Sequence, residues 1–507
     1  MTDILHLGQA ARRASARFGD RHALVCDGRT LSFTELNTAV EQVSAGLAAA
    51  GVRRGDVVTL YASNSWEWVV SYYAIARLGG VINPVNAMLT PAEVAFVVKD
   101  CQARAIIVSK DKLAGALAVL DLVRLAIVID DTAPEGMVTF NALLHAGAAP
   151  LPDIDVDEGD LSTICYTSGT TGHPKGAMQS HRAVITNGAM TAQMQMRGPD
   201  DVIISALPCP HVYANVVMQS MMFYGAKLVL HARFDPAAFL ADIAAHRATI
   251  IDGVPTMYMY LLNAPELAST DLSSLKRAYV GGQTMPVATM QRVEQAFGIP
   301  LIELWGMTEI AGLGATHPLY GRNRHGSIGV ALPYCELRIC DPKAPDTTLP
   351  TGEAGELQVR GPITMMGYFG DEAKTAETLL PSGWLRTGDM AQKDDDSCVF
   401  IVDRLKDMII TGGFKVYPAE IERVLARHPD VALCAVGKRA DAVKGEIAVA
   451  FVVPSSGSGR DKIVLMAFCR EHLAAYKCPR DIRFVDDVPK TSTGKIMRRE
   501  LHTLDRD

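Results

Sequence analysis

The run Tyr166-Thr-Ser-Gly-Thr-Thr-Gly-His-Pro-Lys-Gly176 is the strongest chemical signal in the chain. Three glycines and five hydroxyl or lysine side chains in one loop supply backbone N–H groups and side-chain donors together, which is what a polyphosphate requires. The spacing is not that of a Walker loop, which would read GxxxxGK[ST]. Ser/Thr/Gly runs also serve as plain linkers. This one follows a predicted strand (Leu161 to Cys165) and precedes a predicted helix starting near His181, and its lysine follows a proline. That placement favours an anion-binding loop.

Four further blocks carry groups of interest: Trp305-Gly-Met-Thr-Glu309, Gly383-Trp-Leu-Arg-Thr-Gly-Asp389, Asp403-Arg-Leu-Lys-Asp407 continuing to Pro418-Ala-Glu-Ile-Glu422, and Pro489-Lys-Thr-Ser-Thr-Gly-Lys495. Taken singly, each has an ordinary reading. Thr308-Glu309 could be a surface pair, Asp389 and Arg404 solvated turn residues, and Lys495 a mobile surface lysine.

Together, in this order and over essentially the whole chain, the five blocks resemble the AMP-forming adenylating enzymes, the family of acyl-CoA synthetases, luciferases and peptide-synthetase adenylation domains. The resemblance implies an acid–thiol ligase of the acyl-CoA synthetase branch. A carboxylic acid and ATP would give acyl-AMP and pyrophosphate, and coenzyme A would then give the thioester and AMP. ATP, Mg²⁺ and coenzyme A are the implied cofactors. Implied nucleotide contacts are Thr167, Ser168, Gly169, Thr170, Thr171, Gly172, Lys175, Gly282, Gln283, Trp305, Gly306, Met307, Asp389 and Arg404. Asp389 is the implied acceptor for ribose hydroxyls, and Arg404 a second ribose contact. Many members carry Tyr in place of Trp305, so this chain keeps the stacking wall and loses a hydroxyl.

The same resemblance implies catalytic roles for Lys495, Thr308, Glu309 and His211, with Glu309 holding Mg²⁺ to offset phosphate charge. Lys495 is the lysine that reaches the substrate carboxylate and α-phosphate. A point charge on a flexible stem suits charge developing on pentavalent phosphorus. Lys406 matches the hinge. In one arrangement Lys495 enters the site. In the other the C-terminal domain turns and presents Gly412-Gly413-Phe414 beside a pantetheine channel, where glycine permits close backbone approach.

Family position assigns the acyl pocket to His211, Tyr213, Val254, Gly281, Met307 and Leu313. Pro208-Cys-Pro-His211 departs from the commoner Pro-Leu-Phe-His, with Pro210 replacing an aromatic before the gate histidine. No acidic residue stands in His211 to Asn215, where amino-acid-activating members carry an amine-binding Asp. The wall is mainly apolar and suits a fatty acid or an aryl or hydroxycinnamate-type acid. Arg322 and Arg324 could meet a second carboxylate, as in a dicarboxylate–CoA ligase, although solvated loop charges are the commoner reading. A stand-alone adenylation enzyme loading an acyl carrier protein, a luciferase-like oxygenase and a catalytically dead binding protein are the competing functions. The presence of Lys175, Glu309, Asp389, Arg404 and Lys495 together argues against the last.

These groups need a scaffold that brings distant segments together. Over the first 300 residues, short apolar runs (Val57 to Tyr61, Gly80 to Val85, Ala105 to Val108, Val202 to Ile204, Lys227 to Leu230, Thr249 to Ile251) alternate with helical periods such as Trp66 to Arg77. Continuous apolar strands between helices predict parallel-rich sheets covered on both faces. From about Ser327 to Ile401 the texture becomes β-rich. The last hundred residues read as a small α+β domain, with helices over Pro418–Arg427 and Asp461–Ala475 and strands over Val431–Val436 and Ile447–Val453. The fold class is therefore α/β, a large multi-subdomain body over 1–403 and a mobile C-terminal lid over 404–507.

Composition agrees. The 507 residues are 49% hydrophobic and 21% charged, which excludes a disordered chain. Ten scattered cysteines with no CxxC pair read as reduced core residues of a cytoplasmic protein. No uninterrupted apolar run reaches membrane-spanning length. The net charge of −7 disfavours nonspecific nucleic-acid binding, and it conceals an asymmetry. Residues 404–507 hold 19 Lys+Arg against 14 Asp+Glu, while residues 1–403 hold 30 against 42. Relatives are commonly homodimers; the sequence itself carries no signal for assembly.

Overall fold

A computed structural model describes residues 6–147, 149, 151–167, 174–405, 407–411, 414–441, 444–455, 457–490 and 496–504. Two large sheets and the helices around them form the first part. One has nine strands. Its centre is parallel and runs from Leu301–Met307 through Arg277–Val280, Ile250–Gly253, Val202–Ser205 and Lys227–Leu230 to His22–Cys26. Antiparallel strands close both edges, Gly312–Thr316 with Val330–Ala331 on one and Arg29–Ser32 on the other. The second sheet has eight strands and is likewise parallel at its centre, through Leu161–Thr167, Val81–Pro84, Val57–Tyr61 and Ala105–Ser109.

Two of the helices packed against these sheets are apolar nearly all round. Trp66–Arg77 buries every residue but Glu67, and Val212–Tyr224 buries all but Asn215 and Tyr224. A helix with no polar face has to be covered on all sides, and one contiguous core joins these helices to strands of both sheets. Helix starts follow local chemistry. Thr90 caps Pro91–Asp100 in a capping box with Glu93, and proline stands in the first turn.

A third, antiparallel sheet runs Ala344–Thr348, Glu336–Asp341, Gly355–Arg360, Leu385–Lys393, Val399–Arg404. Beyond it, Ile409–Thr411, Phe414–Val416, Val431–Asp441, Gly445–Pro454 and Asp481–Phe484 make a separate sheet with its own core. The helices Pro418–Leu425 and Lys462–His472 pack on it. The α/β class and the β-rich part read from the sequence are both observed. No helix among the described residues is long and apolar enough to cross a membrane.

The helix expected near His181 begins there. A strand between the Tyr166–Gly176 run and that helix went unread. Lys175–Ser180 is a strand paired antiparallel with Leu161–Thr167, so the run closes a hairpin and the helix His181–Met194 begins only after it. Gly176-Ala-Met-Gln-Ser is too short and too mixed to show strand periodicity in sequence.

Candidate active site

Register sets the first pair of site residues. Asp389 and Arg404 lie on neighbouring antiparallel strands and face each other directly. The Arg404 Nε stands 3.1 Å from Asp389 Oδ1, and the indole N–H of Trp305 donates to Asp389 Oδ2 at 2.8 Å. The departure from tyrosine at 305 is thus used, because indole supplies a donor directed at the carboxylate. Trp305 and Asp389 are buried while the Arg404 side chain is half exposed, so the aspartate is fixed and the arginine reaches outward. A Cβ at Gly306 would fall 2.0 Å from the Gly312 carbonyl oxygen, and only glycine allows that hairpin to close.

The turn after Trp305 carries Thr308 and Glu309. The Tyr368 hydroxyl donates to Glu309 Oε1 at 2.8 Å, and the Met365 N–H donates to the Glu309 carbonyl at 2.8 Å. Burial and the adjacent Glu309 carboxylate push the Tyr368 phenol up, so it remains a neutral donor. Gln179 donates to the Thr308 carbonyl, and Asn187 binds Ile310 and Leu313 through three backbone bonds of 2.8 to 3.0 Å. Lys175, at the end of the hairpin, holds its ammonium 5.7 Å from the Tyr368 ring centroid. Lys175, Thr308 and Glu309 therefore converge through Tyr368 and Gln179. Tyr368, Gln179 and Asn187 went unread in the sequence, since an isolated Tyr, Gln or Asn in an apolar stretch carries no spacing signal.

His211 caps the helix Val212–Tyr224, and its Nδ1 accepts the Tyr213 N–H at 3.2 Å, which leaves the ring proton on Nε2. Tyr213, Val254, Gly281 and Leu313 are buried, and Met307 is partly so. Arg324 instead pairs with Asp394 and Asp396, and neither it nor Arg322 lines the cleft described next.

A cleft of about 1460 Å³ is lined on one side by Gly282, Gln283, Glu303, Trp305, Gly306, Asp389 and Arg404, and on the other by residues of the 418–455 and 496–502 segments. The Ile496 N–H donates to Gln283 Oε1 across it at 3.3 Å. Phe414 does not line this cleft. It stacks at the surface on Tyr476, ring centroids 4.8 Å apart. Ser168, Gly169, Thr170, Thr171, Gly172, Lys406, Gly412, Gly413 and Lys495 lie outside the described residues; Thr167 ends its strand beside the loop.

A cluster around Arg498 also went unread in the sequence. Arg498 pairs with Glu422 at 2.6 Å, Asp407 at 3.2 Å and Asp403 at 3.5 Å. Burial pushes the Asp403 carboxyl up to about 6, against the pull of Arg498.

Comparison with known proteins agrees with this geometry. An acid ligase of Mycobacterium tuberculosis, 3-[(3aS,4S,7aS)-7a-methyl-1,5-dioxo-octahydro-1H-inden-4-yl]propanoyl:CoA ligase, is 34% identical over 99% of this chain and 100% of its own. The long-chain-fatty-acid–CoA ligase of Bacillus subtilis is 32% identical over 96% and 92%. The crystal structure of the anthranilate CoA ligase AuaEII with anthranoyl-AMP superposes with a TM-score of 0.91 at 27% identity, covering 98% of this chain and 97% of that one. Residues 11–369 match the model of the AMP-binding enzymes and residues 420–495 that of the AMP-binding enzyme C-terminal domain, so the chain belongs to the AMP-binding enzyme family.

Proposed function

We propose that this chain is an ATP-dependent carboxylate–CoA ligase that forms an acyl-adenylate and then an acyl-CoA, with a body over 1–403 and a lid over 404–507 turning near Lys406. One observation carries the reading. The cleft holding Trp305, Asp389 and Arg404 is bridged by the bond from Ile496, the residue after Lys495, to Gln283. A nucleoside pocket and the chain next to a candidate catalytic lysine thus share one space.

The residues divide the work by charge. Asp389 accepts from the ribose hydroxyls while Trp305 and Arg404 hold its carboxylate in place. Thr167 to Gly172 and Lys175 surround the phosphates. Magnesium would be held by Glu309 and, when bound, would offset charge between the two anionic substrates. The donor set fits it: Glu309 offers a hard carboxylate held in place by the Tyr368 hydroxyl, and Mg²⁺ is usually bound through one or two carboxylates together with phosphate oxygens. His211 and Thr308 flank the acid, and Lys495 neutralises charge growing on the α-phosphate. The ten unpaired cysteines suit the reducing cytoplasm.

A panel of fatty, aryl and dicarboxylic acids, scored by AMP release with CoA and no carrier protein, tests the proposal. Acid-dependent AMP release that requires CoA supports it. Acyl-AMP that forms but is discharged only by a carrier protein would replace it with the adenylation-only function.

A further inference from the structure

The Gln283 carboxamide reaches from the body to the lid. It sits on the loop that follows Arg277–Val280, beside Gly282 at φ +92°, and is only partly buried. Glycine meets that backbone angle at no steric cost. The loop is fastened on both sides of Gln283. The Gly281 N–H donates to the Gly253 carbonyl at 3.3 Å, and the Met285 N–H reaches the buried Glu303 carboxyl. A short loop held at both ends gives the side chain between them a fixed origin.

The lid end is fixed as well. Lys490 and Ile496 are paired antiparallel, and the Met497 N–H donates to the Pro489 carbonyl at 2.8 Å, which holds the two ends of the 491–495 segment together. The Ile496 side chain packs on the lid's own cluster of Ala435, Val449, Phe451, Val488 and Leu501. Its N–H is not spent inside the lid but donates to Gln283 Oε1 at 3.3 Å. Both partners of this bond are therefore anchored in their own halves of the chain, and the bond forms only when the halves meet.

We propose that Gln283 is a positioning residue for the first half-reaction: by accepting the Ile496 N–H it docks the chain next to Lys495 against the cleft lined by Trp305, Asp389 and Arg404, and weights the lid toward the arrangement that forms acyl-AMP. This deepens the ligase reading above and rests on it. Gln283 acts through the lid, not through a bond to the nucleotide. The bond is present in one arrangement and lost when the lid turns, so its whole free energy goes into the ratio of the two populations. A neutral hydrogen bond biases such a ratio by roughly two- to tenfold. Whichever arrangement is the more populated, the ratio changes by that full factor.

The test compares the two half-reactions in the full-length protein, with the acid of the panel above that turns over fastest and its synthetic acyl-AMP. ATP–pyrophosphate exchange reads adenylation, and acyl-CoA made from acyl-AMP and CoA reads thioester formation. Gln283→Ala removes the bond, and Gln283→Met keeps the bulk without a strong acceptor. In both, the ratio of adenylation to thioester formation should fall roughly two- to tenfold, with the KM for ATP within about twofold of the wild type. An unchanged ratio overturns the inference, whether both rates hold or both fall together. So does a raised KM for ATP at unchanged kcat, which is the signature of a plain nucleotide contact. In the wild type, an Ile496 amide that exchanges hydrogen as fast as an unprotected one overturns it with no variant needed. Each of these results leaves the ligase reading standing. No exchange with any acid of the panel overturns the ligase reading and this inference with it.

Discussion

Glu303 offers a prediction whose size follows from its surroundings. It stands on the strand Leu301–Met307, two residues before Trp305, is 3% exposed and borders the cleft lined by Trp305, Asp389 and Arg404. Backbone N–H groups of Met285 and Gly326 reach its carboxyl, yet Oε2 has no partner. Burial dominates and pushes the carboxyl from near 4.5 up to about 8. The folded state therefore binds the proton more tightly than the unfolded chain does. Below about pH 4.5 both states are protonated and the group is neutral toward stability. As pH rises to about 8 the unfolded chain gains from ionisation and the fold does not, so stability falls by up to about 5 kcal/mol. Glu303→Gln copies the neutral acid. Its melting temperature should equal the wild type near pH 4.5 and exceed it progressively toward pH 8.5. At an order of 1 to 2 °C per kcal/mol for a chain this long, the gap should reach about 5 to 10 °C. Paired thermal melts across that range are the assay. A gap that stays constant with pH would show that Glu303 is ionised in the fold and would refute the reasoning.

Three further outcomes are expected. Tyr368→Phe deprives the buried Glu309 carboxylate of its hydroxyl donor; bonds to charged groups contribute about 1.5 to 3 kcal/mol, so ATP–pyrophosphate exchange should fall roughly 10- to 150-fold with circular dichroism unchanged. Asn187→Leu strands one N–H and two carbonyl groups of the Ile310–Leu313 turn, which should cost about 3 kcal/mol or more in denaturant unfolding and raise the KM for the acid. Lys495→Ala should nearly abolish acyl-AMP formation while sparing thioester formation from supplied acyl-AMP, and normal pyrophosphate release from that variant would contradict the assigned role.

The features legible in the sequence were those with local causes. The apolar strands over Val57 to Tyr61, Ala105 to Val108 and Lys227 to Leu230 depend on neighbours a few residues away, and they appear as read. Asp389 and Arg404 were legible as motif members, but their pairing is set by strand register, which composition does not encode. The first strands, His22–Cys26 and Arg29–Ser32, went unread although they form a local hairpin across Asp27-Gly28; only His22–Cys26 has its second partner, Lys227–Leu230, about 200 residues on. The Arg498 cluster was invisible because its members are far apart in the chain. Charges at 403, 407, 422 and 498 look like scattered surface residues until the chain brings them together.

That cluster also bears on the proposed alternation. Asp403 is the penultimate residue of Val399–Arg404, the strand beside the one that carries Asp389, and precedes Lys406, whereas Asp407, Glu422 and Arg498 follow it. Arg498 thus grips both sides of the hinge, and unequally: 2.6 Å to Glu422 and 3.2 Å to Asp407, but 3.5 Å to Asp403. Rotation about Lys406 preserves the first two contacts and must break the third. Breaking it would leave Asp403 with two backbone donors, from Arg404 and Ala419, of which Ala419 also lies beyond the hinge. A carboxyl already pushed up to about 6 by burial would then lose the Arg498 guanidinium. Turning the lid therefore favours protonation or rehydration of Asp403, and returning it restores the charge pair. On the proposed alternation, the arrangement described here, with Ile496 bonded to Gln283, is the one in which this buried aspartate is best compensated. The balance between the two arrangements should consequently depend on Asp403 and Arg498 as well as on the substrates bound between them.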